Sequence, residues 1–127
     1  MGLGKTLQAI GFAELLKKEF GIQNALIVCP TSLKYQWKSE IEKFAPQRKK
    51  SNVTVIEGNA LQRRAQYEGG SFYKIASYNV VGSDLFAINK MEPDLVILDE
   101  AQRIKNWQTK TAREVKKITS KYALVLT

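Results

Sequence analysis

Apolar and polar positions along the chain form blocks that predict short strands separated by helices. Continuous apolar runs predict buried strands, and apolar residues three or four apart predict helices. The predicted strands cover residues 24–30, 53–57, 72–78, 95–98 and 122–126, and the predicted helices cover 5–20, 31–44, 60–67, 80–89 and 109–119. This alternation is typical of βαβ units. It predicts an α/β fold, a three-layer αβα sandwich with a mostly parallel sheet.

Two helices carry clear end signals. Gly21 follows the first helix, whose apolar residues lie nearly all round it, so this helix should be mostly buried. Thr31 or Ser32 is expected to cap the second helix. Trp37 lies on the apolar stripe of that helix, so we interpret it as a core residue rather than as a base-stacking platform.

Composition narrows the classes of protein to consider. The chain has 127 residues, enough for one domain with a core, and a formal charge of +8 that favours a polyanionic partner. It contains no apolar segment of twenty residues, so no membrane span is expected. Histidine is absent and Cys29 is the single cysteine, which excludes a structural zinc site within these residues on ligand count. Cys29 lies in an apolar run and is expected to be a buried free thiol.

The apolar run 95–98 (LVIL) ends on two adjacent carboxylates, Asp99 and Glu100. Ligands of open α/β sheets bind at the carboxyl ends of the strands, and a carboxylate next to a core needs a cation or a reacting water. An Asp followed by a Glu suits a magnesium–nucleotide site, in which Asp99 holds Mg²⁺ and Glu100 polarises the attacking water. The alternative is a strand that ends in an exposed acidic turn.

The sequence opens with GLGKT immediately before the first helix, which is the distal half of a phosphate-binding loop. In such a loop Gly2 and Gly4 let backbone N–H groups approach phosphate oxygens, Lys5 reaches the β- and γ-phosphates, and the Thr6 hydroxyl ligates Mg²⁺. Half a motif could also be a glycine-rich turn without a ligand. Together with the acidic strand end it predicts ATP and Mg²⁺ as cofactors.

Several blocks, in this order, resemble Swi/Snf-type ATPases of helicase superfamily two: MGLGKT, LIVCPTSLKYQWKSEIEKF, YKIASYNVV, LVILDEAQRIKN and ALVLT. The resemblance covers nearly the whole chain. It implies a RecA-like P-loop fold and an ATP hydrolase that translocates along double-stranded DNA. Many relatives carry Gly and His where this chain has Ala101 and Gln102. A glutamine side chain still offers a hydrogen-bond donor and an acceptor, so we expect Gln102 still to couple the γ-phosphate to the loop after the last strand.

The resemblance also assigns roles to residues. It implies that Gln102 senses the γ-phosphate, and that Glu100 is the general base. Pro30, Thr31 and Ser32 match a turn that contacts the DNA backbone, and Ser77 and Tyr78 match a second such turn. Arg103, Lys105 and Asn106 match a block that we assign to structural and coupling work.

The resemblance further implies that residues 1–127 are a partial N-terminal lobe. We expect this part to begin within the phosphate loop, to end before the family's Gly-Thr-Pro motif, and to lack the second RecA-like lobe of the same parent chain. Because arginines of the second lobe are expected to complete the site, the 127 residues alone should hydrolyse little ATP. The alternatives are a nucleotide-dependent binding module without translocation and an RNA helicase lobe. We expect an intracellular protein, nucleoid-associated if bacterial and nuclear if eukaryotic.

Overall fold

The structure, a computed structural model, describes residues 2–44, 52–104 and 109–127. Two sets of residues singled out from the sequence lie outside these ranges: Lys105 and Asn106 of the block that we assign to structural and coupling work, and Arg48, Lys49 and Lys50 of a polar, basic loop predicted over residues 47–52. Within the described ranges, no helix combines the length and apolar character that crossing a bilayer requires.

Five helices and five strands alternate along the described chain. The helices are α1 (Gly2–Phe20), α2 (Lys34–Phe44), α3 (Ala60–Glu68), α4 (Tyr78–Met91) and α5 (Lys110–Lys116). The strands are β1 (Ala25–Cys29), β2 (Val53–Val55), β3 (Tyr73–Ser77), β4 (Leu95–Leu98) and β5 (Tyr122–Val125). Short 3₁₀ turns at Thr31–Leu33 and Ala101–Ile104 follow β1 and β4. All five predicted strands and all five predicted helices are present, with ends that shift by a few residues.

The strands form one parallel sheet in the order β2-β3-β1-β4-β5. β1 lies at its centre, where Ile27 pairs with Ile75 on one side and Ile97 on the other. Every residue of β1, β3 and β4 is buried, because helices cover both faces of the sheet. This confirms the predicted parallel α/β sheet.

Two hydrophobic cores lie on opposite faces of the sheet. Ala9 and Ile10 of α1 pack with Trp37 and Ile41 of α2 on one face. On the other face, buried residues of α3, α4 and α5 pack against the sheet: Tyr67, Val81, Ile88, Ala112 and Val115. The chain is therefore the three-layer αβα sandwich that its pattern predicts.

A buried charge network joins α3 to α4. Arg63 donates from Nε and from an η nitrogen to the two carboxylate oxygens of Asp84, over 2.9 and 3.0 Å. The hydroxyl of Tyr67 donates to the same carboxylate over 2.9 Å. Burial and the neighbouring Asp84 raise the pKa of Tyr67. Asp84 is only 6% exposed, so this network replaces the water that the carboxylate loses on folding.

Three helix starts differ by two or three residues from the sequence prediction. Neither Thr31 nor Ser32 caps α2: Pro30 begins a 3₁₀ turn in which Leu33 N–H donates to the Pro30 carbonyl over 2.9 Å, and α2 follows at Lys34. α4 begins at Tyr78 rather than at residue 80, because Tyr78, Val81 and Ile88 continue one buried stripe. α1 begins at Gly2 rather than at Lys5, so Gly2 and Gly4 belong to its first turn and not to an open loop.

The Cys29 thiol should be protected from alkylation while the protein is folded. Cys29 is fully buried at the end of β1, and this burial, with Asp99 nearby, raises the pKa of the thiol to about 12. Because the thiolate is the reactive form, we expect iodoacetamide to label Cys29 at pH 8 only through unfolding. Mass spectrometry of pulse-labelled samples with and without urea measures this, and equal labelling in both would contradict it.

The raised pKa of Cys29 also lowers the free energy of unfolding at alkaline pH. Between pH 9 and about 12 an unfolded thiol releases its proton while the folded Cys29 keeps it, so the unfolded state gains stability as the pH rises. We expect Cys29 to contribute a loss of up to about 1.4 kcal/mol per pH unit in that window. Urea unfolding at several pH values should show a shallower decline for Cys29→Ala.

Candidate nucleotide and nucleic-acid site

The carboxyl ends of all five strands lie at one edge of the sheet, because the strands are parallel. β4 ends there at Leu98, and Asp99 continues its ladder by donating its N–H to the Val28 carbonyl of β1 over 2.8 Å. The end of β5 closes the other side, where Ala101 N–H donates to the Leu126 carbonyl over 2.9 Å. The turn formed by Asp99 and Glu100, called the acidic turn below, is therefore held between β1 and the end of β5.

A cleft of about 200 Å³ opens at this edge between the start of α1, α2 and the acidic turn. Its lining residues are Lys5, Thr6, Leu33, Gln36, Trp37, Asp99, Glu100 and Thr127. Lys5 is exposed and its ammonium donates to the Thr127 carbonyl, whereas Thr6 is buried. The two ends of the predicted site, about a hundred residues apart in sequence, thus meet in one cleft.

Asp99 is held by hydrogen bonds to both carboxylate oxygens. The indole Nε1 of Trp37 donates to Oδ2 over 2.8 Å, and the Glu100 N–H donates to Oδ1 over 2.9 Å. The hydroxyl of Tyr78 donates to the Asp99 backbone carbonyl over 2.7 Å. Side chain and main chain of Asp99 are both fixed before any ligand binds.

Glu100 has an unusual backbone conformation. Its φ is +55°, in the left-handed region that residues other than glycine rarely adopt and that costs about 1–2 kcal/mol. The Gln102 side-chain amide donates to Glu100 Oε1 over 2.7 Å, and Arg103 Nε lies 3.9 Å from the same oxygen. Strained residues persist where the surrounding structure determines them and cluster at functional sites. The turn therefore presents the second carboxylate with an amide and a guanidinium beside it.

A second, wider groove of about 460 Å³ adjoins the same edge. It is lined by Pro30, Thr31, Ser32, Tyr78, Asn79, Arg103, Ile104 and Thr111. Thr31 and Ser32 are exposed, and the Asn79 side-chain amide donates to Thr31 Oγ1 over 3.4 Å. The two turns that the resemblance assigns to DNA therefore lie side by side.

The side chains of Ser77 and Tyr78 point inward, which changes how the second turn could contact a ligand. They are only 4% and 7% exposed, and burial next to Asp99 raises the pKa of the Tyr78 hydroxyl. The exposed polar side chain at this turn belongs to Asn79. Sequence reasoning missed Asn79, although the residue directly follows the Ser77-Tyr78 pair.

A larger cleft of about 620 Å³ lies at the opposite edge of the sheet, and its lining residues form a network of hydrogen bonds. Asn24 donates to the Met91 carbonyl over 3.2 Å and accepts the Asp94 N–H over 2.7 Å. Asp94 in turn accepts the Gln23 N–H over 2.7 Å. These polar groups satisfy one another and join the loops before β1 and β4.

The residues of the 200 Å³ cleft fit a magnesium-bound phosphate chain. The first N–H groups of α1 have no intrahelical acceptor, as at the start of any helix, and with the Lys5 ammonium they suit an anion. The Thr6 hydroxyl and the Asp99 carboxylate supply oxygen ligands of the kind Mg²⁺ takes alongside substrate phosphates. A cleft of this size accepts phosphates better than a whole nucleotide.

The sequence profile of the SNF2-related domain matches residues 1–127, the entire chain. The chain belongs to the SNF2-related domain family. Among proteins similar to this SNF2-related domain, the "Uncharacterized ATP-dependent helicase" of Mycoplasma pneumoniae is 41% identical over all of the chain. The TATA-binding protein-associated factor MOT1 of Saccharomyces cerevisiae is 37% identical over the same extent. The chain spans 12% and 7% of the lengths of these two relatives.

Solved structures agree with this family and with the observed fold. The SNF2-related domain superposes on the Sulfolobus solfataricus SWI2/SNF2 ATPase core in complex with dsDNA with a TM-score of 0.85 at 35% identity. It superposes on the SWI2/SNF2 ATPase core domain of the same organism with a TM-score of 0.75 at 34% identity. All of the chain is covered in both cases, against 26% and 25% of those chains. The predicted RecA-like α/β fold and the membership of helicase superfamily two are thereby confirmed.

Proposed function

We propose that the chain is the nucleotide-binding part of an ATP-driven double-stranded-DNA translocase. The observation that carries this proposal is the shared cleft, in which Lys5 and Thr6 face Asp99 and Glu100. Related proteins named as ATP-dependent helicases, and a similar ATPase core bound to dsDNA, support it. We place the protein inside the cell, where its DNA substrate is, in the nucleoid of a bacterium or the nucleus of a eukaryote.

The residues of the cleft divide the work on ATP. The Lys5 ammonium, which lines the cleft, and the N–H groups of Gly2 and Gly4 in the first turn of α1 bind and orient the phosphate chain. Thr6 and Asp99 hold Mg²⁺, which when bound neutralises charge on the phosphates. Glu100 accepts a proton from the attacking water.

Gln102 and Arg103 control the position of the Glu100 carboxylate. Gln102 donates to Glu100 Oε1 and is therefore placed to report a change at the γ-phosphate to the turn. Arg103 contacts the same carboxylate oxygen and also lines the neighbouring groove. A ligand in that groove would thus meet a residue that contacts the general base.

The groove beside the cleft suits the DNA backbone. It presents the hydroxyls of Thr31 and Ser32, the amide of Asn79 and the guanidinium of Arg103, and such groups commonly contact phosphates. The formal charge of +8 adds attraction to a polyanion that weakens as salt rises. Turnover further requires the second RecA-like lobe, whose arginines would stabilise the transferring phosphoryl group. By this proposal residues 1–127 are a partial N-terminal lobe with little activity alone.

ATP hydrolysis by the full-length protein, measured with duplex DNA, RNA and no nucleic acid, tests this function. We expect stimulation by duplex DNA above that by RNA, and displacement of a triplex strand in the presence of ATP. Lys5→Ala should abolish stimulated hydrolysis and weaken ATP binding in calorimetry, because the phosphates lose their ammonium. Lys18→Ala, at an exposed position near the far end of α1, is the matched control. Hydrolysis indifferent to DNA, or stimulated by RNA alone, would contradict the proposal.

A further inference from the structure

Trp37 is a core residue with an unusual hydrogen-bond acceptor. Its ring is 1% exposed and packs in the core formed by α1, α2 and the sheet. A buried indole N–H needs an acceptor, and here the acceptor is Oδ2 of Asp99, 2.8 Å away and 62 residues later in the chain. A phenylalanine would fill most of the same space without that bond. The packing of the ring therefore does not by itself account for the indole.

Tyr78 contacts the same aspartate from another direction. Its hydroxyl donates over 2.7 Å to the backbone carbonyl of Asp99, and its ring is buried at the start of α4. Trp37 thus restrains the side chain of Asp99, and Tyr78 restrains its main chain. The two come from opposite helical layers, since α2 covers one face of the sheet and α4 the other.

We propose that Trp37 and Tyr78 are positioning residues that hold Asp99 in the conformation that binds Mg²⁺. This inference rests on the proposed nucleotide site. A carboxylate oxygen can accept two hydrogen bonds, so one bond from the indole to Oδ2 leaves further lone pairs for a metal ion. A hydrogen bond to a charged acceptor is also strong enough to fix one rotamer. Partners of this kind orient metal ligands, and their loss typically weakens metal affinity by about 10–100-fold.

The two positioning residues are connected in different ways to the 460 Å³ groove that contains Thr31, Ser32 and Asn79. Tyr78 lines that groove itself, and its neighbour Asn79 contacts Thr31. Trp37 is on α2, which directly follows the Thr31–Leu33 turn. One groove residue, Tyr78, therefore bonds to Asp99 directly, and the helix that carries Trp37 begins just after a turn that lines the groove. A movement of Tyr78 or of α2 would shift a residue that holds the proposed metal ligand.

Calorimetric titration of ADP into the full-length protein at several Mg²⁺ concentrations tests the proposal without turnover. Mg²⁺ is expected to strengthen ADP binding. In Trp37→Phe the Mg²⁺ concentration at which half of this strengthening is reached should rise about tenfold or more. Tyr78→Phe should cause a smaller rise, because its hydroxyl contacts the main chain. ADP affinity without Mg²⁺ should change far less than the Mg²⁺ dependence in both variants, since the hydrogen bonds that they lose go to Asp99, the proposed metal ligand.

Ile41→Val is the control for a purely structural effect. Ile41 lies one turn after Trp37 on α2, is 5% exposed, and packs in the same core. It should lower the melting temperature without shifting the Mg²⁺ dependence. Variants that melt lower but keep the wild-type Mg²⁺ dependence would overturn the proposal, and Tyr78→Phe decides it if Trp37→Phe does not fold. A wild-type protein that shows no Mg²⁺-dependent ADP binding would instead overturn the proposed function.

Discussion

Replacing Glu100 by glutamine in the full-length protein is expected to slow ATP hydrolysis by about 10²–10⁴-fold, the range that a general base contributes. Glutamine has nearly the same shape and can keep the hydrogen bond that Glu100 Oε1 accepts from Gln102. It cannot take a proton from water at neutral pH. The substitution also leaves the backbone requirement of φ +55° unchanged. The loss should therefore reflect the missing base and not a rearranged turn.

Binding and hydrolysis measured together identify the cause. ATP affinity of Glu100→Gln should stay within a few-fold of wild type, in contrast to Lys5→Ala, because Glu100 is assigned to the water and Lys5 to the phosphates. Glu57→Gln is the matched control: Glu57 is exposed just after β2, at the same edge of the sheet but next to its outer strand. If Glu100→Gln keeps more than a tenth of the wild-type rate of ATP hydrolysis, Glu100 is not the general base.

Replacing Asp84 by alanine is expected to lower the free energy of unfolding by about 3–5 kcal/mol, which is large against the 5–15 kcal/mol total of a typical domain. The substitution leaves the Arg63 guanidinium, whose side chain is 13% exposed, without its carboxylate. The Tyr67 hydroxyl loses its acceptor as well. Urea unfolding measures the effect.

Two comparisons separate this buried pair from ordinary surface charge. Glu68→Ala breaks the Arg64–Glu68 pair, which lies on the same helix α3 but is more than half exposed, and should change stability by less than about 0.5 kcal/mol. The double variant Arg63→Met, Asp84→Leu should recover much of the loss, because no unpaired buried charge remains. Equal effects of Asp84→Ala and Glu68→Ala would contradict the assignment.

The strands and helices were predictable because their signals are local. β1, β3 and β4 are buried on both faces, so they are continuous apolar runs, and parallel pairing follows from their alternation with helices. The meeting of Lys5 with Asp99 and Glu100 in one cleft was predictable because both motifs are predicted to bind the same ligand, ATP with Mg²⁺. The order β2-β3-β1-β4-β5 had no such signal, because it depends on how distant strands pair.

The details of the site could not be predicted because they are tertiary contacts. Nothing near Trp37 in sequence indicates that its indole meets Asp99, and nothing near Ser77 indicates that Tyr78 points inward while Asn79 is exposed. The first turn of α1 was predicted as a loop because GLGKT is a loop motif. In the structure Gly4 has open space around its Cβ position and joins the helix.

The central position of β1 has a consequence for synthesis on the ribosome. β1 pairs with residues 73–77 and 95–98 but not with β2, the next strand to be made. The five apolar residues of β1 therefore stay unpaired until β3 and β4 have been synthesised. Parallel pairing between strands that are distant in sequence is also slow. During that interval the segment ALIVC can associate with other chains. Nascent chains stalled before β3 should bind chaperones more strongly than those released after β4.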